Sequence, residues 1–319
     1  MTKISIAMTS YNASRYIGEQ LHSFAAQTRL PDELVITDDG STDATPEIVD
    51  TFARAVPFEV RYVRNPVNLG VNANFGRTVS LATGDLVFIS DHDDVWFPEK
   101  LATVEAAFDA DPQVLVFIND QVIAEADGRL TDRTVLGNVR KLGYADEHYG
   151  TGACTAIRRS LLDVLLPFPT AGIPYDHWTN HLPYVLGVRR LIETPLQMYR
   201  RHEANVTASL LADDEASLVK LVKSSSEDAR PSYRTKILEL DIESERLIAR
   251  AAELEAIGLG DAGRRALVTL AEKRRDYEAR IHTLDQGKLV RPLVIAQQLA
   301  KGRYRNFQGW KSAAKDLLA

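Results

Sequence analysis

Cysteine is nearly absent: Cys154 is the only one in 319 residues. That excludes a disulfide framework and a thiolate metal cluster, and it suits a reducing compartment. The chain also lacks any apolar run approaching the ~20 residues a membrane-spanning helix requires. Met1-Thr2-Lys3 leads directly into a strand-like segment, so neither a signal peptide nor a transmembrane anchor is expected. Internal repeats and low-complexity tracts are missing; Ser224-Ser225-Ser226 is only a short polar break. No nucleic-acid recognition motif is visible, and a net charge of −6 disfavours a polyanionic partner. What remains is 45% hydrophobic and 26% charged, ordinary for a globular protein. The length admits one large α/β domain with an appendage.

The most informative stretch is Leu86-Val87-Phe88-Ile89-Ser90-Asp91-His92-Asp93-Asp94-Val95-Trp96. A short apolar run discharges into three carboxylates within four positions. Acids that close repel one another, and a divalent cation is the usual means of neutralising them. Oxygen ligands point to a hard ion, Mg²⁺ or Mn²⁺, of the kind that holds substrate phosphates. The plainer reading is a solvated acidic turn, with Asp94 near the N-terminus of the next helix.

Other strand-like runs end in the same way. Lys3 to Met8 runs into Thr9-Ser10-Tyr11-Asn12, and Glu33 to Thr37 into Asp38-Asp39-Gly40-Ser41-Thr42-Asp43. Phe58 to Val63 leads through Arg64-Asn65 to Asn68-Leu69-Gly70. Helical patterns at about Tyr16–Gln27, Ala44–Arg54 and Val71–Leu81 lie between them. This alternation reads as βαβ units and a largely parallel sheet. In such open sheets ligands bind beyond the carboxyl ends of the strands, where every polar cluster here falls. The Asp39–Asp43 segment also reads as a plain turn followed by a capped helix, and one turn can serve both purposes.

Taken in order, these four polar segments resemble those of family 2 glycosyltransferases, and Asp91–Trp96 is similar to the rhamnosyltransferase-like branch. The resemblance covers roughly residues 3 to 207. It implies a GT-A fold, a Rossmann-like mixed sheet with helices on both faces, over residues 1–210. Residues 211–319 would form a helical C-terminal region. The implied reaction is inverting transfer of a sugar from a nucleoside-diphosphate sugar, dTDP-rhamnose or a UDP-hexose. The acceptor would be a hydroxyl of a glycan or lipid-linked glycan in bacterial surface polysaccharide synthesis. The implied setting is cytoplasmic, at the inner face of the membrane where the tail engages lipid.

The resemblance also implies roles for single residues. Asp38 is expected at the nucleobase and Asp39 at the ribose, with Thr9, Tyr11 and Asn12 lining the same pocket. Asn68 belongs to that pocket and, like Asn74, is expected to order its loop. Asp93 is the expected ligand of Mn²⁺ or Mg²⁺, His202 a further one, and Asp91 holds the ribose or a metal-bound water. Arg200 and Arg201 suit the diphosphate, because guanidinium groups match phosphate oxygens. His92 is read as a bystander. Tyr149-Gly150-Thr151-Gly152 with Arg158-Arg159 resembles the acceptor-side segment. The general base falls at Asp176, in a helix starting at Pro174, with Tyr175 and Trp178 as an apolar wall that would raise its pKa. Tyr175 stands where the family pattern commonly carries a first acid. An ordinary Asp at a helix N-terminus is the alternative for Asp176, and Asp120 is a fallback carboxylate.

Three other classes fit parts of the chain. Asp91-His92-Asp93-Asp94-Val95 satisfies the signature of haloacid-dehalogenase phosphohydrolases, although three strand–helix units precede it here. A non-catalytic carbohydrate-binding protein could retain the fold, and a sugar nucleotidyltransferase would need a Gly-rich N-terminal loop that is missing.

The C-terminal third differs in character. Ile237, Leu238, Leu240, Ile242, Leu247 and Ile248 recur at helical spacing, and Leu267, Leu270, Tyr277 and Ile281 follow Gly258-Leu259-Gly260. This predicts an α-hairpin turning at those glycines, its stripe packing on a partner or the main domain. From Lys288 to Ala319 seven basic residues face one acid, Asp316, with Leu289, Leu293, Phe307, Trp310 and other apolar residues interleaved. Such a segment either lies on an anionic membrane surface or packs on its own domain with a solvated basic face.

Overall fold

Every residue of β1 (Ile4–Ser10) is buried, as an apolar run covered on both faces should be. β2 (Glu33–Asp38) and β4 (Leu86–Ser90) flank it in parallel, and β3 (Glu59–Arg64) extends the sheet beyond β2. The crossovers are α1 (Ile17–Ala25), α2 (Thr45–Ala53) and α3 (Val71–Leu81). α1 turns Ile17, Leu21 and Phe24 inward at i, i+4 and i+7. α2 carries Pro46 in its first turn, where no donor is lost.

The parallel arrangement stops at β4. After β5 (Val95–Trp96) and α4 (Lys100–Ala110), β6 (Val116–Ala124) and β8 (Thr155–Arg158) pair antiparallel, and β8 lies antiparallel on β4. β9 (Arg189–Arg200) runs parallel to β6, and β5 closes the edge antiparallel to β9. Among the described residues the sheet has nine strands in the order β3-β2-β1-β4-β8-β6-β9-β5, with β7 (Leu130–Thr134) paired to β6. The largely parallel sheet expected from the strand–helix pattern is thus corrected to a mixed one, as the GT-A resemblance implies. The segment between β6 and β8 holds β7, α5 (Val135–Lys141) and short turns where a parallel pair would need a full helical crossover.

The computed structural model describes residues 2–125, 127–200, 229–305, 307 and 309–318. The chain divides into two compact units, Met1–Ala212 and Asp213–Ala319. The main core of the first joins Ile4, Ile6, Leu34, Ile36 and Phe88 of the sheet to Leu21, Phe24, Leu101 and Phe108 of the helices. In the second, α8 (Arg230–Ala249), the short α9 (Ala251–Ala256) and α10 (Gly260–Leu284) form the expected hairpin. Its turn uses Gly258 at φ +76, which favours glycine. α11 (Arg291–Ala300) and α12 (Trp310–Leu318) follow. Asp316 is 1% exposed and accepts hydrogen bonds from Arg280 Nε (2.9 Å) and Nη2 (2.8 Å), Tyr304 Oη (2.9 Å) and Tyr233 Oη (3.1 Å). The one acid of the basic tail therefore pins that tail to its own unit.

Candidate functional site

Strand register explains why the polar segments meet. Ser10 is opposite Asp38, Asp38 opposite Arg64, and Met8 opposite Ser90, so the carboxyl ends of β1 to β4 lie side by side. Thr9 is buried at this edge, whereas Tyr11 (52% exposed) and Asn12 are open to solvent. Asn12 sits at φ +48, a conformation asparagine tolerates, and its Oδ1 accepts from Thr42 N at 2.9 Å.

The Asp38–Asp43 turn is tied by its own acids. Asp38 is fully enclosed; its carboxylate accepts from Ser10 Oγ (2.9 Å), Ser41 N (2.8 Å), Gly40 N (3.2 Å) and Ser41 Oγ. Asp39 accepts from Asn65 Nδ2 (2.8 Å), Leu69 N (2.8 Å) and Gly70 N (2.9 Å). It thereby fastens the loop before α3 to the turn after β2. Asn68 reinforces the loop through Asp39 O and Gly70 N, and Asn74 bonds Thr37 and Asn65 beneath it. Asp43 receives Ser14 N (2.9 Å) and Thr45 N (3.0 Å). Burial opposes its charge, but bonds from Thr45 and Ser14 outweigh that and hold its carboxyl well below the usual range.

The three acids after β4 take separate roles. Asp94 is buried and accepts Gln197 Nε2 at 2.8 Å. Gln197 also takes a bond from Lys100 Nζ, which donates to Ala153 O (3.1 Å) and lies 3.8 Å from the Trp96 ring centroid. Burial draws the Lys100 ammonium down to about 8, while burial and Asp93 push Asp94 far up. Asp94 is therefore an anchor for the turn, not the helix cap of the plainer reading. Burial, then the neighbouring Asp93 charge, pushes Asp91 up to about 7. Asp91 and Asp93 are only partly buried.

Tyr175 reaches this turn from the first residue of α7 (Tyr175–Val185), its hydroxyl donating to Asp91 Oδ1 at 3.1 Å. Its ring stacks on Phe75, centroids 3.8 Å apart and 17° between planes. A Cβ on Gly152 would strike that ring, so the glycine is what admits it. Burial and the Asp91 charge keep the hydroxyl protonated far above its ordinary range, which preserves the donor. Asp176 follows immediately; its Oδ1 accepts His177 N at 2.7 Å, and its charge acts on Asp91. Of the two aromatic residues expected beside Asp176, Tyr175 bonds Asp91, and Trp178 is enclosed with Nε1 donating to Leu165 O at 3.0 Å.

Arg200 is 4% exposed, ion-paired with Glu19 of α1, and its Nε donates to Asp93 O at 3.4 Å. It braces the acidic turn against α1. Arg201 and His202 lie outside the described residues. Arg158 and Arg159 do not face an acceptor: they donate to carbonyls of Phe108 and Val114, and of Gly84 and Ala82. Leu86 is opposite Arg158, so both arginines sit at the end of β4 away from the acids. Asp120 is buried and accepts Leu136 N (3.0 Å) and Gln121 N (2.7 Å), which binds it to the start of α5. Sequence reasoning missed Tyr175 as a partner of Asp91 and missed Gln197, Lys100 and Glu19; Gly152 was picked out only as part of the acceptor-side segment, not as the residue that admits the Tyr175 ring. The one available signal was the tyrosine standing in place of an acid.

A divalent ion fits this donor set. Asp91 and Asp93 supply hard oxygen ligands from partly buried positions, and the charges of Asp93 and Asp176 both press on Asp91, a concentration of negative charge a divalent cation would offset.

A mixed sheet with polar strand ends and an acidic turn facing a helix-borne carboxylate defines the GT-A class of nucleotide-sugar folds. Comparison with known proteins agrees. The model of glycosyl transferase family 2 matches residues 5–166, and the chain belongs to that family. An uncharacterized protein of Mycobacterium tuberculosis is 33% identical over 219 residues, 66% of this chain and 62% of that protein. The match thus spans less than two thirds of that relative. Abequosyltransferase RfbV of Salmonella typhimurium is 36% identical over 113 residues, 35% of this chain and 34% of its own. Among solved structures, the mannosyltransferase PcManGT from Pyrobaculum calidifontis in complex with GDP-Man and Mn²⁺ is similar in fold. Its TM-score is 0.52 at 19% identity, covering 99% of this chain and 85% of that one. Family membership sets aside the phosphohydrolase and nucleotidyltransferase alternatives.

Proposed function

We propose that the protein is an inverting glycosyltransferase that moves a sugar from a nucleoside-diphosphate sugar to a hydroxyl of a glycan or lipid-linked glycan. The carrying observation is the convergence of Asp91 and Asp93 with Asp176, two elements locked together by the Tyr175–Asp91 bond. dTDP-rhamnose and UDP-hexoses are the donors we favour. The setting we favour is bacterial surface polysaccharide assembly on the cytoplasmic side; the similarity to an abequosyltransferase supports transfer of a sugar.

Thr9, Tyr11, Asn12 and Asp39 would line the nucleoside pocket. Asp38, enclosed as it is, would act by shaping that pocket. Asp93 would hold Mn²⁺ or Mg²⁺, with His202 as the second expected ligand and Asp91 beside it. When bound, the ion supplies positive charge to the departing diphosphate. Arg200 would steady the turn that carries Asp93, and Arg201 would meet the diphosphate. Asp176 stands in the first turn of α7, where the helix dipole favours its ionised form. It would take the acceptor hydroxyl's proton as that oxygen bonds to the anomeric carbon and the bond to the diphosphate breaks.

Asp176→Asn tests the assignment. An amide keeps the size and caps a helix about as well as Asp, but it cannot take the proton. Single-turnover transfer at saturating donor should fall about 10²–10⁴-fold, with donor affinity unchanged. Near-wild-type transfer would remove Asp176 as the base.

A further inference from the structure

In the unit Asp213–Ala319, α11 and the residues before it turn an apolar stripe outward. Leu289, Leu293, Ala296 and Ala300 recur at i, i+4, i+7 and i+11 and are all exposed, Leu289 at 97% and Leu293 at 63%. The buried positions of the helix, Arg291 and Ile295, fall on another face. On α12 Trp310 (72% exposed) and Leu317 (50%) repeat the pattern seven positions apart.

The charges around this stripe are of one sign. Lys288, Lys301, Arg305 and Lys311 are exposed and form no ion pair among the described residues. Arg291 donates to carbonyls of Leu284 and Gln286, and Arg303 pairs with Asp276 at 3.1 Å. The lone acid, Asp316, is buried beneath Arg280. Among the described residues, what faces solvent from Lys288 to Leu317 is therefore apolar or positive apart from the neutral amide of Gln297, and carries no negative charge.

We propose that this face docks on the surface of an anionic lipid bilayer. An amphipathic helix with exposed leucines, flanking lysines and an outward tryptophan is the arrangement that lies in a headgroup layer. Among the described residues no helix is long and apolar enough to cross a membrane, so contact would be peripheral. A second copy of the same face is the less favoured occupant, because it would set four cations against four. The inference is independent of the catalytic assignment.

Tryptophan emission tests it. Trp96 and Trp178 are enclosed, so of the three tryptophans only Trp310 can report lipid contact. Full-length protein should shift its emission to the blue and co-float with phosphatidylcholine vesicles that contain phosphatidylglycerol, but not with phosphatidylcholine alone. Added salt should weaken the interaction. Lys301→Gln and Lys311→Gln should each lower partition about fivefold. The double variant Leu289→Glu/Leu293→Glu should lower it at least about tenfold, with unchanged thermal unfolding and donor binding. Flotation of that variant at the wild-type level would overturn the proposal. So would an unshifted Trp310 with anionic vesicles; a concentration-dependent dimer lost in the same variant would then assign the face to a second copy. Donor binding, read in parallel, separates failure here from failure of the glycosyltransferase reading.

Discussion

Tyr175 holds together groups that would otherwise repel. Its hydroxyl donates to Asp91 while Asp93, Asp94 and Asp176 all raise the negative potential there. Its ring is held by Phe75 on one side and admitted by Gly152 on another. Tyr175→Phe keeps the ring and deletes the hydroxyl. We expect a loss of about 0.5–1.5 kcal/mol in stability, the usual worth of one hydrogen bond. Metal-dependent donor affinity should fall about tenfold, since ~1.4 kcal/mol of lost positioning corresponds to that factor. Calorimetric titration of the nucleotide with and without Mn²⁺ reads both variant and wild type. An identical titration would leave the hydroxyl a packing detail.

At the scale of elements, the site is a set of strand ends whose turns brace one another. Asp39, in the turn after β2, orders the loop before α3 by accepting two of its backbone amides. Gly70, at φ +78, supplies the left-handed corner that aims those amides. Arg200 at the end of β9 and Gln197 three residues earlier brace the acidic turn from the other half of the sheet. Asp39→Ala would leave Leu69 N, Gly70 N and Asn65 Nδ2 without that acceptor, at a cost of about 2–4 kcal/mol. Differential scanning calorimetry should record it, together with weaker nucleotide binding. A fall in stability with nucleotide affinity intact would make the clamp purely structural.

For the whole molecule, the acidic turn sets an unusual pH response. Asp91 and Asp94 have folded-state pKa values raised above the unfolded one, so their stabilising contribution is full below about 4 and is lost as pH rises. For Asp91 the loss runs up to about 7. Asp43 and Glu33 are lowered, and their contribution is lost in the opposite direction, as pH falls through their lowered folded values. Metal-free protein should therefore unfold at a lower temperature at neutral pH than near pH ~5. Mn²⁺ should flatten that slope by binding the ionised native state. In Asp93→Ala the Mn²⁺ effect should vanish. A melting temperature that rises from pH ~5 to neutrality without metal would contradict the charge balance derived for the turn.

Much of this was legible in the residues. Apolar runs of strand length and helices of period 3.6 specified β1 to β4 and α1 to α3, because both patterns are local. The polar segments could be placed at strand ends for the same reason, and the hairpin at Gly258–Gly260 followed from helical spacing and glycine. Pairing across the sheet is not local. That β8 and β6 would return antiparallel depends on long-range hydrogen bonding, so the parallel pattern could not be extended past β4. Likewise nothing in the order Asp91-His92-Asp93-Asp94 distinguishes an anchor from a ligand. Only burial against Gln197 and Lys100 makes Asp94 the former. Asp38, expected at the nucleobase, is enclosed in its own turn. Asp316, a lone acid in a basic tail, turned out to hold that tail in place, because its partners come from three separate places: Arg280 from α10, Tyr233 from α8 and Tyr304 from the turn after α11. The sequence by itself determined which residue types stand at each strand end. The tertiary structure decided which of them are satisfied by the protein and which are left facing outward, because that depends on neighbours far away along the chain.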